Sequence, residues 1–490
     1  MKYFSTRGGQ IADGAASAII QGIADDKGLF VPEKIPALDI SFEELSEMTY
    51  QEVAKLVIGK FFEDFTSEEI SYCVDSAYDD KFETKDIVPI VPAGDALFME
   101  LYHGRTSAFK DMALSILPYL LSTAVKKQGE EKKICILTAT SGDTGKAALE
   151  GFSGVEGTEI IVFYPEDGVS AVQKAQMVTQ EGKNTHVFAV RGNFDDAQTG
   201  VKKIFNDKDF AKMLDDRGYR LSSANSINIG RLVPQVAYYV YAYGQLIKRG
   251  TIAPRASVNI VVPTGNFGNI LAAYYASLMG IPVNKFICAS NENKVLTDFI
   301  NTGIYDARRE FHLTNSPSMD ILISSNLERL LYHLSGDASE VNRLMSELDS
   351  DKYYEVSDKV KQGMSCFYGG FSDVTDTNKT IGSMYRTKGY LLDTHTAVAY
   401  KVYEDYLKST CDARPTLIAA TASPFKFSGS VALSIGLPES DSEFDYLKML
   451  SEESGIQIPK GLSGLETKEI RHKDVIDIED MVKAVEACLK

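Results

Sequence analysis

Hydrophobic and polar positions along this chain predict an α/β protein. Apolar runs typical of buried strands are found at 133–139, 159–164, 185–190, 258–262 and 285–289. Helical patterns separate them, and this alternation predicts parallel or mixed sheets covered by helices. A further apolar run from Met112 to Val125 predicts a helix, and a last helix is expected near residues 478–489.

The same patterns divide the chain into segments. The first 93 residues are rich in helix signals, including capping-box sequences that begin at Ser41 and Thr66. Prolines at positions 89 and 92 mark a boundary. A chain of 490 residues exceeds one ordinary core. We predict a mainly helical N-terminal domain, a large domain, a small domain and a C-terminal helical extension. Their predicted bounds are 1–93, 94–130 with 225–434, 131–224 and 435–490, respectively.

One lysine stands directly before the apolar run at Met112, in the segment HGRTSAFKD at 103–111. The first turn of a helix carries positive partial charge, which disfavours a protonated amine. Lys110 is therefore better suited to act as a nucleophile than as a surface charge. A lysine that forms an imine with an aldehyde is the usual protein anchor for pyridoxal phosphate. Taken alone, this pattern more often indicates a solvated lysine before a buried helix. The neighbouring motifs therefore decide between a surface lysine and a cofactor anchor.

Two glycine-rich turns between a strand and a helix predict anion-binding sites. The first contains Thr140, Ser141, Gly142, Asp143 and Thr144, and the second contains Gly265, Asn266, Phe267, Gly268 and Asn269. We expect the backbone N–H groups of both turns to face outward, with a positive φ at Gly268. Neither spacing matches a nucleotide-binding P-loop or a dinucleotide fingerprint, which argues against ATP and NAD. One turn can hold a cofactor phosphate and the other a substrate carboxylate or phosphate.

Composition narrows the classes of partner. The formal net charge of −17 argues against nucleic acid and anionic membranes as partners. No apolar run is long enough for a transmembrane helix, and the first residues do not resemble a signal peptide. The six cysteines and six histidines are scattered without metal-ligand spacing. We therefore expect a cytoplasmic protein with reduced thiols and no metal.

Together with YFSTRGG at 3–9 and DKGLFVPE at 26–33, these segments resemble the threonine synthases, in particular their long subgroup with an extra N-terminal domain. The resemblance extends from residue 3 to about Phe427. It implies a pyridoxal-phosphate enzyme of fold type II, the tryptophan-synthase-β type, whose large domain binds the cofactor. It further implies that Lys110 forms the Schiff base, that residues 265–269 hold the cofactor phosphate, and that the hydroxyl of Thr421 lies near the pyridine nitrogen.

The resemblance also implies a reaction, in which O-phospho-L-homoserine and water give L-threonine and phosphate, the last step of threonine biosynthesis. The turn at 140–144 would then contact the substrate, and the protein would be a monomer or a homodimer. The chain departs from the family motifs at Arg105, Ser107 and Ser423. An alternative is a pyridoxal-phosphate-dependent dehydratase or β-replacement enzyme acting on serine, threonine or O-acetylserine. A homologue that only binds amino acids is a third possibility, against which the intact Lys110 argues.

Other polar residues have plainer interpretations. Arg231, near the start of a long apolar helix, could bind a substrate anion, although the pattern favours a capping or surface role. Lys146 is expected to be a surface charge on its helix. His103 and Asp111 could tune Lys110 or simply form structural hydrogen bonds. The tyrosines between 238 and 243 are expected to belong to the core.

Overall fold

The computed structural model describes residues 1–140, 142–167 and 169–489, so the predicted substrate contact Ser141 lies outside it. Within the described residues the strands are β1 Tyr3–Ser5, β2 Ile11–Ala12, β3 Phe30–Pro32, β4 Ile90–Ala93, β5 Ala96–Glu100, β6 Lys133–Ala139, β7 Thr158–Pro165, β8 Thr185–Val190, β9 Tyr219–Ser222, β10 Val258–Pro263, β11 Val283–Ser290, β12 Ile304–Asp306, β13 Tyr353–Glu355, β14 Phe367–Phe371, β15 Thr416–Ala420 and β16 Val475–Ile476. The α-helices are α1 Ala15–Gln21, α2 Phe42–Glu47, α3 Tyr50–Phe61, α4 Ser67–Ala77, α5 Asp111–Leu114, α6 Leu117–Lys127, α7 Asp143–Phe152, α8 Ala171–Val178, α9 Phe194–Asn206, α10 Lys208–Asp216, α11 Ile229–Lys248, α12 Gly268–Leu278, α13 Val295–Thr302, α14 Leu327–Ser335, α15 Ala338–Asp351, α16 Asp358–Gly363, α17 Val374–Lys388, α18 Thr394–Thr410, α19 Ser428–Ile435, α20 Glu443–Ser454 and α21 Met481–Cys488.

The large sheet has the strand order β14-β11-β10-β15-β5-β4. Its neighbouring strands are parallel except for the antiparallel pair β4 and β5. Every residue of β10 and β15 is buried, as expected for central strands of a parallel sheet covered on both faces. Because β5, β15 and β10 are parallel neighbours, the segments that follow them leave the sheet at one edge, where ligands of open α/β sheets bind. These segments carry Lys110, Thr421 and Gly265.

The small sheet has the strand order β16-β8-β7-β6-β9, and all its pairs are parallel. Its three central strands, β6, β7 and β8, confirm the predicted strands at 133–139, 159–164 and 185–190. Strand β16 comes from the C-terminal segment and pairs with β8. The residues after 434 are therefore not a purely helical extension, because part of them completes the small sheet.

The N-terminal segment contains the antiparallel sheet β2-β1-β3 and the helices α1 to α4. Ser41 and Thr66 each form the predicted capping box, with Glu44 and Glu69 respectively. Helices α2 and α3 pack against the long helix α11. Strand β4 lies within the predicted bounds of this segment, but it pairs with β5 in the large sheet. The large sheet therefore begins a few residues before the predicted boundary at 93.

The single helix expected from Met112 to Val125 is wrong, because two helices, α5 and α6, occupy this segment. Pro118 lies in the first turn of α6. Proline lacks an N–H and its ring clashes with the carbonyl four residues earlier, so a helix breaks before it. That earlier residue is Leu114, at which α5 ends.

Within the described residues, no helix is both long and apolar enough to cross a membrane. In the same part of the chain, no cluster of three or more His, Cys, Asp or Glu residues could hold a metal ion. All six cysteines are free thiols.

Candidate active site

Lys110 lies directly before α5, and its side chain is only 11 % exposed. Its Nζ donates a hydrogen bond to Ser318 Oγ at 3.0 Å and lies 3.8 Å from Asp143 Oδ2. Burial lowers the pKa of the Lys110 amine; Asp143 opposes this shift, whereas Arg231 and Lys426 lower the pKa further. The solvated lysine considered above is therefore wrong, and a buried amine that loses its proton readily suits a nucleophile.

The loop before Lys110 is organised by Asp111. Thr106 donates two hydrogen bonds to this carboxylate, from its N–H at 2.8 Å and from its Oγ1 at 2.6 Å. A Cβ atom at Gly104 would lie 2.5 Å from Asp111 Oδ2, so the loop requires glycine there. Burial raises the pKa of Asp111 to about 6, although the hydrogen bonds from Thr106 favour the ionised form. These contacts give Asp111 the structural role considered for it above.

Asp143 is the first residue of α7, and its carboxylate faces two lysines. Its Oδ1 lies 3.2 Å from Lys426 Nζ and accepts a hydrogen bond from Gln173 Nε2 at 2.9 Å. Burial opposes ionisation, but Lys426, Lys110 and the Gln173 hydrogen bond outweigh it and hold the pKa of Asp143 well below its usual range. An ionised carboxylate therefore stands beside the Lys110 amine.

In the turn at 140–144, the Thr140 side chain already binds two backbone N–H groups. Thr140 Oγ1 accepts hydrogen bonds from the N–H groups of Gly142 at 3.0 Å and Gly145 at 2.9 Å. The expectation that the N–H groups of this turn face outward is therefore wrong for these two glycines. Gly142 adopts φ 143°, and a Cβ atom there would lie 2.6 Å from the Gln173 side chain. Thr144 is half-buried at the start of α7, and its predicted substrate contact stays a prediction.

In the turn at 265–269, two backbone carbonyls are bonded to the segment at 324–326. Ser324 Oγ donates to the carbonyl of Gly265 at 2.8 Å, and the Asn326 backbone N–H donates to the carbonyl of Asn266 at 3.1 Å. With these carbonyls fixed, the N–H groups that open α12 have no partner within the helix and can bind an anion. The expected positive φ at Gly268 is wrong, because the left-handed residue is Phe267 at φ 62°.

Asn269 supplies a donor without a partner in this turn. Its Oδ1 accepts a hydrogen bond from Tyr238 at 2.8 Å and another from Tyr239. Its Nδ2 is buried and has no hydrogen-bond partner among the described residues. A buried donor left unpaired is costly unless a ligand completes it. The turn therefore fits the phosphate of pyridoxal phosphate, and the two tyrosines support it in addition to filling the core.

Ser318 connects the lysine to this turn. Its Oγ accepts the hydrogen bond from Lys110, and its carbonyl oxygen lies so near Gly265 that a Cβ atom there would be 2.4 Å away. The N–H of Ser318 donates to His395 Nε2 at 3.2 Å, and His395 Nδ1 lies 2.9 Å from Asp393 Oδ2. This pattern requires the imidazole to carry its proton on Nδ1. These hydrogen bonds from Asp393 through His395 fix the backbone of Ser318, and with it the position of the Ser318 hydroxyl that accepts from Lys110.

Thr421 lies beside the lysine segment. It is buried, and its carbonyl accepts a hydrogen bond from the Phe109 N–H at 2.8 Å. The next residue, Ala422, forms an antiparallel bridge with Ala108. The backbone ladder fixes Thr421 next to Lys110, which is compatible with the predicted contact of its hydroxyl with the cofactor ring.

Two basic residues expected at the surface are buried. Arg231 donates from Nη1 to the carbonyl of Ala224 at 2.8 Å, and burial lowers its pKa to about 10. Among the residues that the structure describes, no carboxylate lies within ion-pair distance of Arg231, so most of its guanidinium donors are free for an anion. Lys146 is also buried, with Nζ 2.8 Å from Glu150 and a hydrogen bond to Gln180. The surface interpretations of both residues are therefore wrong.

Known families match three parts of the chain. Residues 2–78 match the family "Threonine synthase N terminus", residues 93–356 match "Pyridoxal-phosphate dependent enzyme", and residues 396–488 match "Threonine synthase, C-terminal". The chain belongs to the threonine synthase family. Threonine synthase from Pseudomonas aeruginosa is 37 % identical over 438 residues, which cover 88 % of this chain and 90 % of that protein.

Threonine synthase-like 1 from Homo sapiens is 40 % identical over 86 % of this chain, and the match covers only 58 % of the human protein. The crystal structure of pyridoxal-phosphate-bound threonine synthase from Brucella melitensis has a TM-score of 0.87 and 35 % identity, covering 100 % of this chain and 98 % of that one. The predicted family, the fold type II α/β architecture and pyridoxal phosphate as the cofactor are thereby confirmed.

Sequence reasoning about this threonine synthase family member missed three residues of the site: Ser318, His395 and Lys426. Lys426 had a usable signal, because it is the only charged residue between Thr416 and Gly436. Ser318 and His395 had none, because their roles depend on a contact between the irregular segment before α14 and the start of α18.

Proposed function

We propose that this chain converts O-phospho-L-homoserine and water to L-threonine and phosphate, with Lys110 as the Schiff-base lysine. The observation that carries the proposal is the position of Ser318. This residue contacts the buried Lys110 amine through its hydroxyl and the 265–269 turn through its carbonyl. A cofactor with an aldehyde and a phosphate would join these two places, as pyridoxal phosphate does.

When bound, pyridoxal phosphate supplies an electron sink that acidifies the protons of the substrate near its amine. The free amine of Lys110 would take the proton from Cα of the substrate, then move protons at Cβ and Cγ, and finally return a proton to Cα. Phosphate leaves from Cγ, and water adds at Cβ. One base can serve several steps only if its pKa lies near the working pH, which agrees with the lowered pKa of Lys110.

We further propose that Arg231 holds an anionic group of the substrate. A buried guanidinium without a carboxylate partner is matched by a phosphate or a carboxylate, which it can bind in a bidentate manner. Its charge is among those that lower the pKa of the Lys110 amine, which supports a place for both groups around one substrate. We also propose that the substrate contacts Thr140, Gly142, Asp143 and Thr144. Of these residues, Asp143 lies nearest to the Lys110 amine in the contacts described above.

A dehydratase or β-replacement enzyme remains the second candidate. Such an enzyme needs the same lysine and phosphate turn, but its substrates, serine, threonine and O-acetylserine, carry no phosphate. Arg231 could bind the α-carboxylate of any of these substrates, so the label experiment below, rather than this residue, distinguishes the two candidates. We also propose a cytoplasmic location and a monomer or homodimer without nucleic-acid partners. For the domains we propose the division predicted above, with two changes: β4 belongs to the large domain, and part of the C-terminal segment belongs to the small domain.

Incubation with O-phosphohomoserine in heavy-oxygen water tests the reaction. We expect the label in the β-hydroxyl of threonine and not in the phosphate released, because the C–O bond breaks and solvent attacks Cβ. A phosphatase would label phosphate and release homoserine, whereas a dehydratase would release a keto acid and ammonia. Mass spectrometry of both products distinguishes the three. Labelled phosphate with homoserine, or no turnover by fully loaded enzyme, would contradict the proposal.

A further inference from the structure

Lys426 is a completely buried lysine near the reacting lysine. It lies in the short 3-10 turn Pro424–Phe427 after β15, and its side chain is 0 % exposed. Its Nζ donates to the carbonyl of Thr106 at 2.8 Å and to Gln176 Oε1 at 3.0 Å, and lies 3.2 Å from Asp143 Oδ1. Each of the three N–H donors of the ammonium group thus has an acceptor.

The three acceptors come from different parts of the molecule. Thr106 belongs to the loop before Lys110, whereas Asp143 and Gln176 belong to α7 and α8 beside the small sheet. Gln176 passes the connection on, since its Nε2 donates to the carbonyl of Gly461 in the C-terminal segment at 3.1 Å. Lys426 follows the carboxyl end of the central strand β15, and its contacts fix the start of α7 against the loop before Lys110.

Lys110 and Lys426 share one carboxylate but hold it unequally. Lys426 is 3.2 Å from Asp143, and Lys110 is 3.8 Å away with Ser318 Oγ as its hydrogen-bond acceptor. The charged groups that act on Lys110 are Asp143 and Asp111, which favour its protonated form, and Arg231 and Lys426, which disfavour it. The ammonium form of Lys110 therefore has fewer acceptors and a more distant carboxylate to stabilise it than it would have if Asp143 faced Lys110 alone.

We propose that Lys426 is a positioning residue, which competes with Lys110 for the carboxylate of Asp143 and so leaves the Lys110 amine free to lose its proton. This inference rests on the proposed role of Lys110 as the cofactor anchor. Without Lys426, the buried carboxylate would pair with Lys110 alone, and the amine would keep its proton to a higher pH.

The test is the variant Lys426→Met, which removes the charge but keeps most of the side-chain volume. In the full chain depleted of pyridoxal phosphate, so that the Lys110 amine is free, the rate at which cyanate carbamoylates Lys110 is measured against pH by mass spectrometry. We expect the midpoint of this profile to rise by about one pH unit, a tenfold smaller fraction of free amine at a given pH. Lys146→Met is the matched control, since Lys146 is a buried lysine that pairs with Glu150. Its midpoint should equal that of the wild type.

Two further variants separate charge from structure. Lys426→Arg keeps the charge and should keep the midpoint, and in an Asp143→Asn background Lys426→Met should shift the midpoint much less. If Lys426→Met does not fold, Lys426→Gln takes its place, because an amide can still donate to Thr106. A neutral variant with reduced stability but an unchanged midpoint would overturn the inference.

The same proteins are then loaded with pyridoxal phosphate and reduced with borohydride. A linkage at Lys110 in the wild type, formed more slowly below the new midpoint in Lys426→Met, supports the inference. A wild type without any linkage at Lys110 would overturn the proposed function, whereas a normal linkage with an unshifted profile would overturn only the role of Lys426.

Discussion

The two glycine-rich turns, at 140–144 and 265–269, look alike in the sequence but differ in what their donors contact. In the first turn, Thr140 Oγ1 accepts hydrogen bonds from the N–H groups of Gly142 and Gly145, so these two donors are not available to a ligand. In the second turn, the carbonyls of Gly265 and Asn266 are held from behind, and Asn269 Nδ2 is left buried without a partner among the described residues. As far as the described residues of the two turns go, the second turn is therefore better suited to hold a permanent phosphate.

The difference extends to charge. The first turn contains the ionised Asp143, which would repel a phosphate at close range but lies within ion-pair distance of two lysines. The second turn carries no carboxylate between residues 265 and 269. A strand-to-helix turn is thus an anion site only when its N–H groups are unoccupied and its side chains do not add negative charge.

The largest expected effect comes from replacing the lysine that lies between the two turns. Lys110→Ala should abolish the yellow imine absorbance and the borohydride-reducible link to protein, because no other amine among the described residues donates to Ser318. Lys146→Ala is the control, since Lys146 is also buried and lies in the helix after the first turn. A reducible link that survives in Lys110→Ala and disappears in Lys146→Ala would reverse the assignment.

A smaller but still large effect is expected from Asn269→Asp. This change keeps an acceptor for the two tyrosines but replaces the unpaired Nδ2 donor with a carboxylate oxygen. Repulsion of the cofactor phosphate should raise the Kd for pyridoxal phosphate about a hundredfold, ~2.7 kcal/mol. Spectroscopic titration of cofactor-depleted protein measures this. Asn266→Asp, on the exposed side of the same turn, adds the same charge and should have a much smaller effect. Equal constants for the two variants would mean that the phosphate does not face Asn269.

Part of this fold and of the candidate site could be predicted from the sequence. Strand patterns and glycine turns located Lys110, the 265–269 turn and the central strands of the small sheet, because a buried strand and a helix start each leave a local signal. Strand β15 was missed although it lies at the centre of the large sheet. Only Leu417 and Ile418 among its five residues are large apolar side chains, so the run gives a weak strand signal.

What the sequence could not predict is how polar groups pair across the fold. Whether the N–H groups of a turn face a ligand depends on one hydroxyl, that of Thr140, accepting two of them. The partner of Asp143 is Lys426, 283 residues away along the chain. Burial of Arg231 and Lys146 likewise follows from packing between distant segments, so charge alone suggested the wrong location for both.

The smallest effect should separate the two turns most cleanly. Thr140→Val preserves the shape of the side chain but removes the oxygen that accepts from Gly142 and Gly145. Two buried N–H groups would lose their acceptor, so the free energy of unfolding should fall by about 2 kcal/mol. Because the cofactor phosphate is assigned to the other turn, the Kd for pyridoxal phosphate should change by less than about threefold. Thr138→Val is the control, since Thr138 Oγ1 only donates to a neighbouring carbonyl at the end of β6. Denaturant unfolding and cofactor titration give the two quantities. If Thr140→Val kept wild-type stability but lost the cofactor, the first turn rather than the second would hold the phosphate.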